Sequence, residues 1–126
     1  MPRHTLGKQE RLKSRKKIEE LFATGKKLRK YPLAIVYQTE ALQSKFSTQF
    51  TPSVPHRNFK RAVDRNLLKR RMREAYRKNN SSLKEHCLDK NVLLSLMVIY
   101  QDKAIQDYHA IESSMISIID ELIRKI

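Results

Sequence analysis

A chain of 126 residues is one domain's worth, large enough to bury roughly two thirds of the surface its unfolded form exposes. Its 27 Lys and Arg against 13 Asp and Glu leave a net charge of +14, which points to a polyanionic partner and away from a near-neutral enzyme. One cysteine, Cys87, and four scattered histidines exclude a disulfide framework and a zinc-type ligand set, and no apolar run approaches the roughly 20 residues of a membrane span.

In chain order, residues 14–24 put Ile18, Leu21 and Phe22 on one face of a short helix, with Ser14 as N-cap and Gly25 as its stop. Residues 31–38, YPLAIVYQ, form a strand, and 45–54, KFSTQFTPSV, form a second that Pro52 and Pro55 mark as an edge or a bend. Asn58 is the expected cap of a helix running to about residue 78, where Asn79, Asn80, Ser81 and Ser82 end it. Residues 92–100 are continuously apolar apart from Ser95 and read as a buried strand. From about residue 105 onward, Ile111, Met115, Ile118, Ile119, Leu122 and Ile123 describe a closing amphipathic helix. The first thirteen residues are expected to be flexible.

The charge is segregated. Residues 3–30 carry a net of +8 and residues 57–78 carry another +8, whereas residues 91–126 carry −2. A charge spread for solubility would not divide in this way, so localised contact with a polyanion is indicated. Within residues 62–78, Asn66, Lys69, Arg70, Arg73 and Arg77 fall in an arc of about 100°, and Leu68, Met72, Ala75 and Tyr76 share another. One face is therefore cationic and another is core. The row runs along roughly 16 Å of helix axis. Most charged helix faces are simply solvated, but such faces usually carry carboxylates at i±4. Here only Asp64 and Glu74 accompany ten cations, and like charges at i, i+4 cost a few tenths of a kcal/mol each. That cost without a local return favours an external anion, bound by arginine forks that grip phosphate oxygens in pairs.

The segment KRAVDRNLLKRRMREAYR resembles the signature helix of the protein subunit of bacterial ribonuclease P, A-V-x-R-N-x-x-K-R-x-x-R-E. The matching residues are Ala62, Val63, Arg65, Asn66, Lys69, Arg70, Arg73 and Glu74. The opening ERLKSRKKIEELFATGKK and the approach SVPHRNFKRAV are similar to the family as well, so the resemblance spans nearly the whole chain as one domain of residues 1–126. It implies an α+β fold: a two-layer α/β sandwich with a small mixed sheet, an N-terminal helix, the basic helix in a left-handed β-α-β crossover, and a C-terminal helix.

The resemblance also implies a division of labour. A catalytic RNA subunit holds the Mg²⁺ ions and removes the 5′ leader of precursor tRNA, while the protein binds that RNA and the leader. The chain then supplies no catalytic residue and no metal ligand, and the sequence itself shows no phosphate loop, activated nucleophile or two-metal carboxylate cluster. Contact with the RNA subunit is implied for Lys60, Arg61, Arg65, Asn66, Lys69, Arg70, Arg73 and Arg77. The leader site is expected to use Phe22, Tyr31 and Tyr37 for stacking, flanked by Lys26, Lys27, Arg29 and Lys30, together with His56 and Arg57. A cytoplasmic location follows, with no membrane or DNA partner.

This sequence departs from the family pattern at three positions. Leu67 stands for the second arginine of R-N-R, Ile18 for an aromatic of the first helix, and His56 for a lysine. The competing reading is a non-catalytic RNA-binding module of the ribosome-associated kind, which would share the charge but not the signature wording. A helix-turn-helix DNA binder is disfavoured, because strands and not a helix and turn precede the basic helix.

Overall fold

The computed structural model describes residues 11–126. Four helices and four strands follow in the order α1 (Arg15–Thr24), β1 (Lys26–Lys30), β2 (Leu33–Ala41), β3 (Thr48–Ser53), α2 (Ala62–Asn79), α3 (Ser81–Asp89), β4 (Val92–Tyr100) and α4 (Tyr108–Lys125). The sheet order is β1-β2-β4-β3. β2 pairs antiparallel with β1 and with β4, and β3 pairs parallel with β4, so the sheet is mixed. The parallel pair is joined through α2 and α3, which makes the basic helix part of a β-α-β crossover.

Strand alternation divides the apolar side chains between two faces. Leu33, Ile35 and Tyr37 of β2, Phe50 of β3 and Leu94, Leu96, Val98 and Tyr100 of β4 meet Leu68, Met72 and Tyr76 of α2 and Ile111, Met115, Ile118 and Leu122 of α4 in the main core. Phe50 and Tyr76 stack with ring centroids 4.2 Å apart. On the opposite face Val36 and Met97 join Leu12 and Leu21, with Ile18 and Ile99 packed alongside, so α1 and the segment just before it cover that side. β4 is continuously apolar because both of its faces are covered, the usual pattern of an inner strand. Ile18 thus serves packing, in keeping with its aliphatic side chain.

Local signals set several boundaries. Ser14 Oγ accepts from the Lys17 amide at 3.3 Å and caps α1, and Asp107 Oδ1 accepts from the Ala110 amide at 2.9 Å and caps α4, later than the expected start near residue 105. Asn58 caps nothing: its amide donates to the Pro55 carbonyl at 3.3 Å in a turn, and α2 begins at Ala62. Two elements escaped the sequence reading, β1 and α3. Of the thirteen residues expected to be flexible, 1–10 lie outside the described residues, whereas Arg11 and Leu12 are held. Arg11 bridges to Phe50, and the Leu12 amide donates to the Phe50 carbonyl at 2.9 Å.

Cys87 of α3 is buried, and burial pushes its thiol up to about 11. At pH 8 the folded thiol should react with iodoacetamide on the order of a hundredfold more slowly than in the denatured chain, where the thiol titrates near 8.5. Between those two values the unfolded state binds fewer protons than the folded one, so this group lowers stability as pH rises. Equal alkylation rates in native buffer and in denaturant would show that α3 opens readily.

Candidate nucleic-acid interface

The division of α2 into two faces is realised. Leu68, Met72, Ala75 and Tyr76 are buried against the sheet and α4, and this pins the opposite stripe outward. Asn66, Arg70 and Arg73 are exposed and Lys69 is half-buried; among the described residues no carboxylate pairs with Lys69, Arg70 or Arg73. Arg77, the last of the row, differs from the rest. Its guanidinium binds Glu74, which also lies 3.7 Å from Lys78 Nζ. Hydrogen bonding to Arg77 holds the Glu74 carboxyl below the usual carboxylate range. Lys60 and Arg61 are exposed just ahead of the helix, and the exposed Val63 stands on its first turn. Leu67 is half-buried and contributes no charge.

Arg65 does something the sequence did not suggest. Its Nη1 donates to the carbonyls of Phe59 and Lys60, each at 2.8 Å, so it is bound to the turn ahead of its own helix. Arg71, outside the predicted row, likewise turns inward and donates from Nη1 to the Gln106 carbonyl at 2.6 Å.

Two basic segments that are distant in sequence meet beside α2. Arg11 and Lys13 share a pocket with Thr51, Pro52 and Arg73, because the segment before α1 runs along β3. The two blocks of charge are therefore not separate at this point.

On the sheet face that carries α1 lies a groove of about 360 Å³ lined by Phe22, Lys27, Arg29, Ala34, Val36, Ile99 and Gln101. This volume suits a small-molecule-sized group such as one unpaired base, not a duplex. Through Arg29, Ile99 and Gln101 it continues into a second hollow walled by Pro55, Arg57, Asn58, Asp102 and Lys103. Phe22 is 53% exposed and Tyr31 63% exposed, so both aromatic faces are available. The Tyr31 hydroxyl donates to Asp102, and that bond raises the phenol above its ordinary value. Asp102 in turn accepts from Tyr31, from Gln106 Nε2 at 2.6 Å and from the Ala104 amide at 3.1 Å, which lowers its carboxyl to about 2. His56 and Arg57 are exposed on the turn beside this hollow.

Three expected groove residues are elsewhere. Tyr37 is 5% exposed and packs in the main core under α4, so it is not available for stacking. Lys26 pairs in register with Tyr37 and therefore shares its face, away from the groove; Lys30 has the same parity and pairs with Glu121 of α4 at 3.2 Å. Of the four flanking cations, Lys27 and Arg29 face the groove. The alternation of KKLRK, with Leu28 turned inward, is the signal that would have separated them.

The family model described as Ribonuclease P matches residues 6–122. The chain belongs to the ribonuclease P protein family. It is 32% identical over 114 residues to the ribonuclease P protein component of Porphyromonas gingivalis, covering 90% of this chain and 83% of that one. It is 30% identical over 115 residues to the component of Borrelia hermsii, covering 90% and 92%. The fold resembles the solved ribonuclease P protein of Staphylococcus aureus, with a TM-score of 0.69 at 16% identity over 90% of this chain and 94% of that one. It also resembles that of Thermotoga maritima, solved in complex with 1-(4-fluorophenyl)-2-thiourea, with a TM-score of 0.68 at 21% identity, covering 86% and 96%. The α+β architecture expected of a ribonuclease P protein is thus the one present. Among the described residues no helix is long and apolar enough to cross a membrane.

Proposed function

We propose that this chain is the protein subunit of ribonuclease P, and that it assists an RNA subunit in removing the 5′ leader of precursor tRNA in the cytoplasm. The observation that carries the reading is the row Asn66, Lys69, Arg70 and Arg73. It bears the family's wording, stands on the outer face of α2, and its cations lack carboxylate partners among the described residues. On this reading the row, with Lys60, Arg61, Arg11 and Lys13, meets the phosphates of the catalytic RNA. The groove takes the leader: Phe22 and Tyr31 stack on unpaired bases, and Lys27, Arg29 and Arg57 neutralise the backbone. His56 adds a hydrogen-bonding edge at the mouth.

Mg²⁺ in this reading is held by the RNA and supplies the hydrolytic chemistry there. Among the described residues no three His, Cys, Asp or Glu side chains cluster as ligands, and the Asp102 carboxylate is already shared by three donors. The chain's own work is binding and orientation, which raises the effective concentration of the scissile bond at the RNA's site.

Reconstitution with a cognate ribonuclease P RNA and a precursor tRNA at low Mg²⁺ tests this. Cleavage at the 5′ boundary should be faster than with RNA alone. No acceleration would overturn the reading, and cleavage by the protein alone would overturn its non-catalytic role.

A further inference from the structure

The outer face of α2 and the end of the groove lie on different sides of the fold, yet two arginines of α2 tie them together. Arg65 Nη1 holds the Phe59 and Lys60 carbonyls at 2.8 Å each, and Arg71 Nη1 holds the Gln106 carbonyl at 2.6 Å. Those carbonyls belong to the two irregular segments, residues 54–61 and 101–107, that wall the second hollow with Arg57, Asn58, Asp102 and Lys103. Neither segment lies in a strand or helix: backbone bonds from the Asn58 and Phe59 amides close a turn in the first and the Gln101 amide anchors the start of the second to the Pro32 carbonyl at 2.7 Å, and side-chain contacts hold the remainder.

The contacts continue beyond the arginines. The Tyr100 hydroxyl donates to the Ala104 carbonyl at 2.7 Å and accepts from the Gln106 amide at 2.8 Å. Gln106 Nε2 then donates to Asp102, which lines the second hollow and accepts from the exposed Tyr31. On the other segment Phe59 is buried edge-on to Tyr100, with ring centroids 5.8 Å apart. An unbroken set of hydrogen bonds thus runs from Arg71 on α2 to Tyr31. A guanidinium keeps its charge at all working pH values, and charge-assisted bonds of this kind are roughly twice as strong as neutral ones.

We propose that Arg65 and Arg71 are positioning residues. They hold the two segments at the end of the groove so that a single strand lying there and an RNA seated on α2 keep one fixed spatial relation. The proposal rests on the reading of α2 as the RNA-subunit face and of the groove as the leader site. It removes Arg65 from the phosphate contacts and gives it a part in leader binding through Arg57 and Asn58.

The test uses the reconstituted holoenzyme with R65Q, R71Q and the conservative R65K and R71K. Substrates carry either a leader of several nucleotides or a leader of one. For the long leader R71Q and R65Q should raise KM about tenfold, the effect of losing a charge-assisted bond, with a smaller change in kcat. The lysine variants, which can still reach a carbonyl, should recover most of that loss. For the one-nucleotide leader KM should move little. The salt dependence of RNA-subunit binding should keep its wild-type slope.

A slope reduced by about 0.9 in R65Q or R71Q would make that residue a phosphate contact and overturn the proposal. So would an equal rise in KM for both leaders, or none for either. Should the glutamine variants not fold, hydrogen exchange at the Ala104 and Gln106 amides of R71M, which keeps the aliphatic stem but has no donor for the Gln106 carbonyl, decides. Exchange as slow as in wild type, with an unaltered leader effect, overturns the proposal. Failure of the wild-type protein to accelerate cleavage would instead strike at the functional reading itself.

Discussion

Replacing Arg70 and Arg73 together by alanine should reduce the slope of log affinity for ribonuclease P RNA against log salt concentration by about 1.8, since each phosphate contact on a duplex contributes about 0.9. Both side chains are exposed on the outer face of α2, and neither has a carboxylate partner among the described residues. Their loss therefore leaves no buried charge behind. Arg73 also stands at i+4 from Lys69 and at i−4 from Arg77, so its removal relieves like-charge repulsion worth a few tenths of a kcal/mol. The variant should fold at least as well as the parent while binding RNA more weakly, most clearly at low salt. Arg73 shares its pocket with Arg11 and Lys13, so removing either of these as well should take the slope down further. An unchanged slope would mean that the row is merely solvated.

Gly25→Ala should cost both stability and leader binding. An added Cβ would lie 2.5 Å from the Leu21 carbonyl oxygen, 2.7 Å from Val36 Cγ1 and 3.2 Å from the Tyr37 carbonyl oxygen. The Val36 methyl can shift, but the two backbone oxygens belong to α1 and β2 and cannot yield unless these elements separate. The glycine is needed here for close approach, since its φ of −69° is open to any residue. Overpacking of this kind costs about 1–3 kcal/mol, a drop in Tm of roughly 3–15 °C for a domain of this size. Because α1 supplies Phe22 and the sheet supplies Lys27 and Arg29, lifting α1 also displaces one wall of the groove. Thermal melting and the affinity for a leader-bearing substrate should both fall. An unaltered melting temperature would show that α1 is not seated as closely as described.

The parts of the interface that could be read from residue order are those governed by helical period. The cationic and apolar stripes of α2, the inward row of α4 and the burial of β4 all follow from spacing within a single element. β1 was hidden because four of its five residues are cations, a composition suited to a sheet edge but not to a strand recognised by its apolar residues. α3 was hidden because Asn79, Asn80, Ser81 and Ser82 resemble a terminator. In the fold Asn80 is only the break between two helices, and the next one runs on to Asp89.

The sequence by itself determined that charge would gather in a row on one helix, with too few carboxylates nearby to neutralise it, because helix period and side-chain chemistry are properties of neighbours in the chain. The tertiary structure alone decided that Tyr37 and Lys26 turn to the core side while Lys27 and Arg29 turn to the groove, since one residue of strand register exchanges the two faces. It also decided that Arg65 and Arg71 turn back to the turns around the groove while Arg70 and Arg73 face outward. Within one run of arginines the chemistry is identical, and what separates them is which carbonyls the fold brings within reach.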